Sequence, residues 1–84
     1  MLFNDTEKKM IGIFKKVGYK KVKPDTDLRN DLMIDSIKLM LIIVEVEETF
    51  SIDSFKIVEN IENIITVSDL VETINQLRGD NDGN

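Results

Sequence analysis

The stretch Asp31-Leu32-Met33-Ile34-Asp35-Ser36-Ile37 places an Asp-Ser pair where a long loop gives way to a helix. A serine there has two local options: it caps the helix itself, or it occupies the first turn while Asp35 caps. Taken without its surroundings, the pair is a cap with no further role. Catalysis by Ser36 lacks support, because the chain has no histidine and no cysteine. The usual general base, the usual thiol nucleophile and the common zinc ligands are therefore missing. No imidazole can take the serine proton. Carboxylates and lysines remain, a poor set for an enzyme. Asp25-Thr26-Asp27 begins like a calcium loop, but Asn30 stands where that pattern needs Gly and Ser36 where it needs Glu. Asn4-Asp5-Thr6 has the form of a glycosylation sequon, and a helix start explains it better.

Four helical segments must position these residues. The first starts at Asn4, with Glu7 at capping-box spacing. It carries Phe3, Met10, Phe14 and Val17 on one stripe, with Ile13 beside them, and stops at Gly18. Residues 19–34 form a long loop holding the only proline, Pro24. A loop this long in a small domain is usually functional, and Leu28 and Leu32 are expected to pin it onto the core. The second helix runs from Ser36 to Phe50. At about 100° per residue, Leu39, Ile43, Val46 and Phe50 point to the core. Ile37, Leu41 and Val44 face nearly the opposite way, with Met40 between the two stripes. One apolar face serves folding; the other needs an explanation. A short third helix is expected near residues 54–63. Thr66, with Asp69 three residues on, caps a fourth helix. Its buried stripe is Val67, Leu70, Val71, Ile74 and Leu77, and Gly79 is expected to end it. The expected fold is all-α, a small four-helix bundle of three longer helices and one short one, with a long loop between helices 1 and 2. Residues 1–79 make a single domain, and residues 80–84 a polar, disordered tail.

Size and charge narrow the function further. Eighty-four residues suffice for one small domain, which buries only about 60–65% of the surface its unfolded chain exposes. A deep catalytic cleft has little room. The longest apolar run, Leu39 to Val44, is far shorter than the roughly 18 residues of a membrane span. With no export segment and no cysteine, a cytoplasmic protein is expected. Residues 1–24 carry seven lysines against Asp5 and Glu7, whereas the rest carries fourteen acidic residues against four basic ones. The acidic part holds the Asp-Ser pair, so it attracts basic surfaces and repels nucleic acid. Lys8, Lys9, Lys15, Lys16, Lys20, Lys21 and Lys23 are expected to be a solvated face.

With these elements in place, the chain resembles the acyl carrier and peptidyl carrier protein family. The resemblance spans nearly all of it: a helix, a long loop, Asp35-Ser36-Ile37, a helix ending in Glu45, Glu47 and Glu48, a short helix, and Thr66-Val67-Ser68-Asp69 opening the last. It implies that Ser36 accepts 4′-phosphopantetheine covalently from coenzyme A, with Asp35 as the flanking acid. The arm would carry acyl or aminoacyl groups as thioesters, and the chain would be a carrier and not an enzyme. The residue types suit this. Attachment needs an exposed hydroxyl, and backbone N–H groups at a helix start favour the resulting phosphodiester anion by about 0.3–1 kcal/mol. A phosphopantetheinyl transferase supplies the base and metal, and the arm supplies its own sulfur, so the missing His and Cys fit.

Partner contacts follow from the same comparison. Ile37, Met40, Leu41 and Val44 suit a transient interface with the modifying enzyme and with acyl- or aminoacyl-transferring enzymes, unless the loop covers them. Glu47 and Glu48 either steer basic partner surfaces or form an ordinary solvated face. A monomer is expected, with no metal, no nucleic acid and no membrane insertion. Two features depart from the family pattern. Many members have Gly two positions before the motif Asp, where this chain has Met33. The early second helix is commonly acidic in fatty acid carriers, yet here it has Lys38 and Leu41. Both point away from housekeeping fatty acid biosynthesis and toward a specialised pathway, such as polyketide or nonribosomal peptide biosynthesis. The rival from another class is an unmodified helical adaptor that binds through the same apolar face, with Ser36 only a cap. Ser36→Ala separates them: a carrier loses all tethering and at most about 1–2 kcal/mol of stability. An adaptor keeps its binding and loses it on Val44→Asp.

Overall fold

Helix starts and stops are written into the chain by local hydrogen bonds. The computed structural model describes the backbone of residues 4–81 and the side chains of residues 4–79. It contains α1 (Asp5–Val17), α2 (Ser36–Phe50), α3 (Ser54–Glu59), a short 3-10 turn (Ile61–Asn63) and α4 (Val67–Asn81). The fold is the expected all-helical bundle, with no strand among the described residues. Asn4 opens α1 with a reciprocal capping box: its Oδ1 accepts from the Glu7 N–H (2.8 Å), and its own N–H donates to Glu7 Oε1 (3.0 Å). Gly18 closes the helix at φ 114°, where a side chain would strain the backbone. The Tyr19 N–H then turns back onto the Phe14 carbonyl (2.8 Å), and the Tyr19 ring meets Phe14 edge-on at 6.4 Å between centroids. This is the hydrophobic contact that seals such a C-terminus.

The end of α4 differs from expectation. The helix passes through Gly79 and reaches Asn81, and Gly79 does not take the left-handed conformation seen at Gly18. Asp80, Asn81 and Asp82 offer no apolar residue to fold back and no proline to break the turn, so glycine alone does not stop the helix. Residues 82–84 of the expected tail, and Phe3 of the expected α1 stripe, lie outside the described residues.

The core draws on every element. Met10, Ile13 and Phe14 of α1 meet Ile42, Val46 and Phe50 of α2, Ile57 of α3, and Val67, Leu70, Val71 and Ile74 of α4. Ile52, Ile64 and the loop residue Leu28 complete it, and Leu32 packs half-buried at its edge. Each such side chain contributes about 1.5–3 kcal/mol on full burial. The buried face of α2 is turned relative to the helical-wheel expectation. Ile42 is 1% exposed, whereas Leu39 and Ile43 are only half-buried. The reason is the position of α1, which runs antiparallel along the flank of α2 that carries Lys38 and Glu45. Lys16 Nζ pairs with Glu45 Oε1 at 3.0 Å, Lys38 Nζ reaches the Val17 carbonyl at 3.4 Å, and Ile42 lies between them on the same helical stripe. A wheel drawn for one helix contains no information about which flank its neighbour covers.

Polar groups join the far end of the bundle. Thr6 is buried, with its Oγ1 donating to Asn75 Oδ1 (2.6 Å) and accepting from Arg78 (3.0 Å). The Arg78 guanidinium also lies 5.1 Å from the centroid of the Phe50 ring, tying α1, α2 and α4 together.

The long loop is fastened to the start of α4. The first N–H groups of a helix have no partner within it, and here three are satisfied from outside. The Val67 N–H donates to the Thr26 carbonyl (3.0 Å) and the Ser68 N–H to the Pro24 carbonyl (2.8 Å). The Asp69 N–H donates to Thr66 Oγ1 (3.1 Å). The Leu28 N–H adds a bond to the Ile65 carbonyl (2.9 Å). Leu28 is buried beneath this seam, so the loop is pinned where the sequence implied.

Candidate functional site

The stretch leading to Ser36 is held by its own backbone. Asp27 Oδ1 accepts from the N–H groups of Arg29 (2.9 Å) and Asn30 (2.8 Å), and Asp31 Oδ2 accepts from the Asp27 N–H (2.8 Å). The Asn30 N–H is the main reason the Asp27 carboxyl sits below its ordinary pKa, with Arg29 adding to the effect against a desolvation that opposes it. The Ile34 N–H returns to the Leu28 carbonyl (3.1 Å). The chain therefore enters α2 from a fixed direction.

At the entry, the choice between two caps is resolved. Asp35 is the N-cap: its backbone is extended and its Oδ1 accepts from the Lys38 N–H at 2.8 Å. Ser36 is the first helical residue, exposed to solvent, and its hydroxyl makes no hydrogen bond among the described residues. The Ser36 and Ile37 N–H groups likewise have no protein partner there, in contrast to the fully satisfied start of α4. No acidic side chain lies within the first turn of α2. What results is an accessible hydroxyl beside two free N–H donors at the positive end of a helix dipole, an arrangement that favours an anionic substituent. Lys38, unusual at a helix start, points its ammonium to the C-terminal carbonyls of α1, where the dipole favours a cation.

The second apolar face of α2 is open. Ile37 is 71% exposed, Met40 66%, Leu41 50% and Val44 49%, so the loop does not cover them. Glu48 continues the Ile37–Leu41–Val44 stripe by one turn, and Glu47 lies one side over, beyond Met40. Both are exposed and make no ion pair among the described residues. Glu45 is different, because Lys16 engages it. Ser36, Asp35, the four apolar residues and the two glutamates thus share one side of α2 and its start.

One residue of this surface carried no site assignment from sequence. Met33 is 80% exposed and holds φ 53°, a left-handed conformation that costs a non-glycine residue about 1–2 kcal/mol. The signal was Met33 itself, an apolar residue two positions before Asp35 where the resemblance led one to expect Gly.

A model of the family described as phosphopantetheine attachment site matches residues 9–77 of the chain. No curated protein and no solved structure matches it. The match covers all of α2, most of α1 and α4, and the whole of the loop and α3 between them. The chain belongs to the phosphopantetheine attachment site family, whose domains are the site of covalent 4′-phosphopantetheine attachment.

Proposed function

We propose that Ser36 is the attachment residue and that the chain is a carrier of acyl or aminoacyl groups, acting without catalysing a reaction of its own. The observation that carries this is the division of labour at the start of α2. Asp35 caps the helix, which leaves the Ser36 hydroxyl exposed and unengaged. The residues present fit the group, since a phosphodiester on Ser36 would meet the free N–H groups of Ser36 and Ile37.

In the modification, Ser36 Oγ forms a bond to the phosphorus that bears the pantetheine of coenzyme A. The diphosphate bond breaks, adenosine 3′,5′-bisphosphate leaves, and the serine proton passes to a base on the transferase. The chain becomes a phosphoprotein. Once attached, the arm supplies a thiol that holds the cargo as a thioester. This chain's own part is to hold the attachment point on a rigid helix start and to present a surface to partners. The open stripe of Ile37, Met40, Leu41 and Val44 fits transient docking by the transferase and by acyl-handling enzymes, with Glu47 and Glu48 steering basic surfaces. Lys38 and Leu41 early in α2 support a specialised biosynthetic pathway. Coenzyme A as donor supports a cytoplasmic site of action. No helix among the described residues is long and apolar enough to cross a membrane.

The test is intact mass spectrometry after incubation with coenzyme A and a broad-specificity phosphopantetheinyl transferase, with Ser36→Ala in parallel. A gain of one phosphopantetheine, absent in the mutant, is the expected result. No gain in folded protein, while a known carrier is modified alongside, would favour an unmodified adaptor.

A further inference from the structure

Three lysines stand at three heights along α2. Lys38 belongs to its first turn, and its exposed side chain lays Nζ 3.4 Å from the Val17 carbonyl at the end of α1. Lys16 reaches α2 further up, where its Nζ pairs with Glu45 Oε1 at 3.0 Å. Lys9 lies at the far end, with Nζ 5.9 Å from the centroid of the Phe50 ring and 3.3 Å from Asp5 Oδ2. At about 1.5 Å of rise per residue, Lys38, Glu45 and Phe50 fall about 3, 14 and 21 Å along the helix from Ser36. Of the three lysines, Lys38 alone makes no ion pair among the described residues.

A neutral lysine amine is a nucleophile toward carbonyl carbon, and a thioester carbonyl is an acceptor for it. We propose that Lys38 is an acyl acceptor: its Nζ takes cargo from the arm on Ser36 by a slow, uncatalysed transfer within one molecule. This rests on Ser36 being the attachment residue. The lone pair of the Lys38 amine attacks the thioester carbonyl carbon. A C–N bond forms, the C–S bond breaks, and the sulfur leaves as the arm's thiol with the proton that the nitrogen sheds. The products are an amide on Lys38 and an empty arm, and no oxidant or reductant enters. Distance selects the acceptor. The arm is a flexible chain about as long as five residues, with an r.m.s. reach of roughly 12 Å. Lys38 therefore lies within its ordinary excursions, and the Phe50 end lies beyond them. Tethering presents the thioester to Lys38 at an effective concentration on the order of millimolar. Lys38 also has only a long contact to a carbonyl to give up, whereas Lys16 and Lys9 each have a carboxylate partner. Acylation removes the charge of Lys38 and withdraws the cargo from its pathway, so it limits how long a loaded carrier can wait for its next enzyme.

The test loads the full chain with an acetyl group, using acetyl-coenzyme A and a broad-specificity phosphopantetheinyl transferase, and then removes the donor. After incubation at mildly alkaline pH, hydroxylamine strips the remaining thioester, and peptide mass mapping locates the acetyl amides. The expected order is Lys38 first, Lys16 less and Lys9 least, with a first-order rate that dilution does not change. At about 10 μM chain, this rate exceeds by about a hundredfold that of Ser36→Ala in an equal concentration of acetyl-coenzyme A. Lys38→Arg keeps the positive charge without a free amine, and most of the total amide disappears in it while circular dichroism shows the wild-type fold. Amide spread evenly over the three lysines, or another lysine ahead of Lys38, overturns the inference. So does a rate that scales with chain concentration, or thioester lost with no amide formed. A wild-type chain that gains no acetyl-phosphopantetheine in the loading step sinks the Ser36 assignment and this inference with it, and is recognised before the incubation begins.

Discussion

Asp35 Oδ1 accepts a hydrogen bond from the Lys38 backbone N–H at 2.8 Å, and this bond makes Asp35, not Ser36, the cap of α2. The consequence for stability is an asymmetry between neighbours. Asp35→Ala should cost about 0.5–2 kcal/mol, whereas Ser36→Ala, on an exposed position with no hydrogen bond to lose, should stay within about 0.5 kcal/mol of wild type. Urea denaturation of the two variants checks this. The reverse ranking would show that the serine caps the helix in solution.

The turned face of α2 predicts where truncation hurts. Ile42→Ala should cost about 2–5 kcal/mol and Phe50→Ala about 3–5 kcal/mol, because both side chains are buried and would leave cavities. Either loss is large enough to unfold a domain this small. Leu41→Ala, half-exposed on the opposite face, should cost much less. Thermal unfolding of the three variants distinguishes them, and a loss at Leu41 equal to that at Ile42 would contradict the observed packing.

Two positions in the left-handed region offer stabilisation. Met33 and Ser51 have φ of 53° and 55°. Relief of about 1–2 kcal/mol of strain outweighs the roughly 0.5–1 kcal/mol entropic cost of glycine. Met33→Gly and Ser51→Gly should each stabilise the fold by about 0.5–1 kcal/mol, read from the shift in urea midpoint at constant m-value. Midpoints that fall instead would mean that contacts of the native side chains outweigh the strain.

Acid sensitivity follows from the carboxylates that organise the seam between loop and α4. The Thr66 N–H, and after it the Ile65 N–H, hold the Asp69 carboxyl below its ordinary value of 3.8, each through a 3.0 Å bond to Oδ2. The Asp27 carboxyl is lowered in the same direction. A group with a depressed folded pKa contributes stability above its unfolded pKa and loses that contribution as pH falls through the folded value. Stability should therefore be level above about pH 5 and decline below about pH 4 as the unfolded state takes up protons first. In Asp69→Asn the decline should be shallower. Thermal midpoints between neutral and strongly acidic pH test this, and parallel curves for the two proteins would remove Asp69 from the explanation.

Much of this protein is legible in residues a few positions apart. The Asn4–Glu7 box, the Gly18 stop, the Thr66–Asp69 pair and the span of α2 all follow from local hydrogen bonding and apolar periodicity, which depend on sequence spacing alone. The open stripe of Ile37, Leu41 and Val44 was legible for the same reason, since a helix with two apolar faces cannot bury both against one core. Local spacing failed at Gly79, because a helix stop needs a partner residue beyond the glycine and the sequence there has none. Tertiary structure decided the rest. Which residue caps α2 depends on the direction in which the loop arrives, and that direction is set by the bonds within residues 27–34 once residues 24–28 are fastened to the start of α4. The burial of Ile42 depends on which flank α1 covers, and the left-handed turn at Met33 on a loop closed at both ends. Each of these joins segments far apart in the chain, so no window of neighbouring residues contains the forces that determine it.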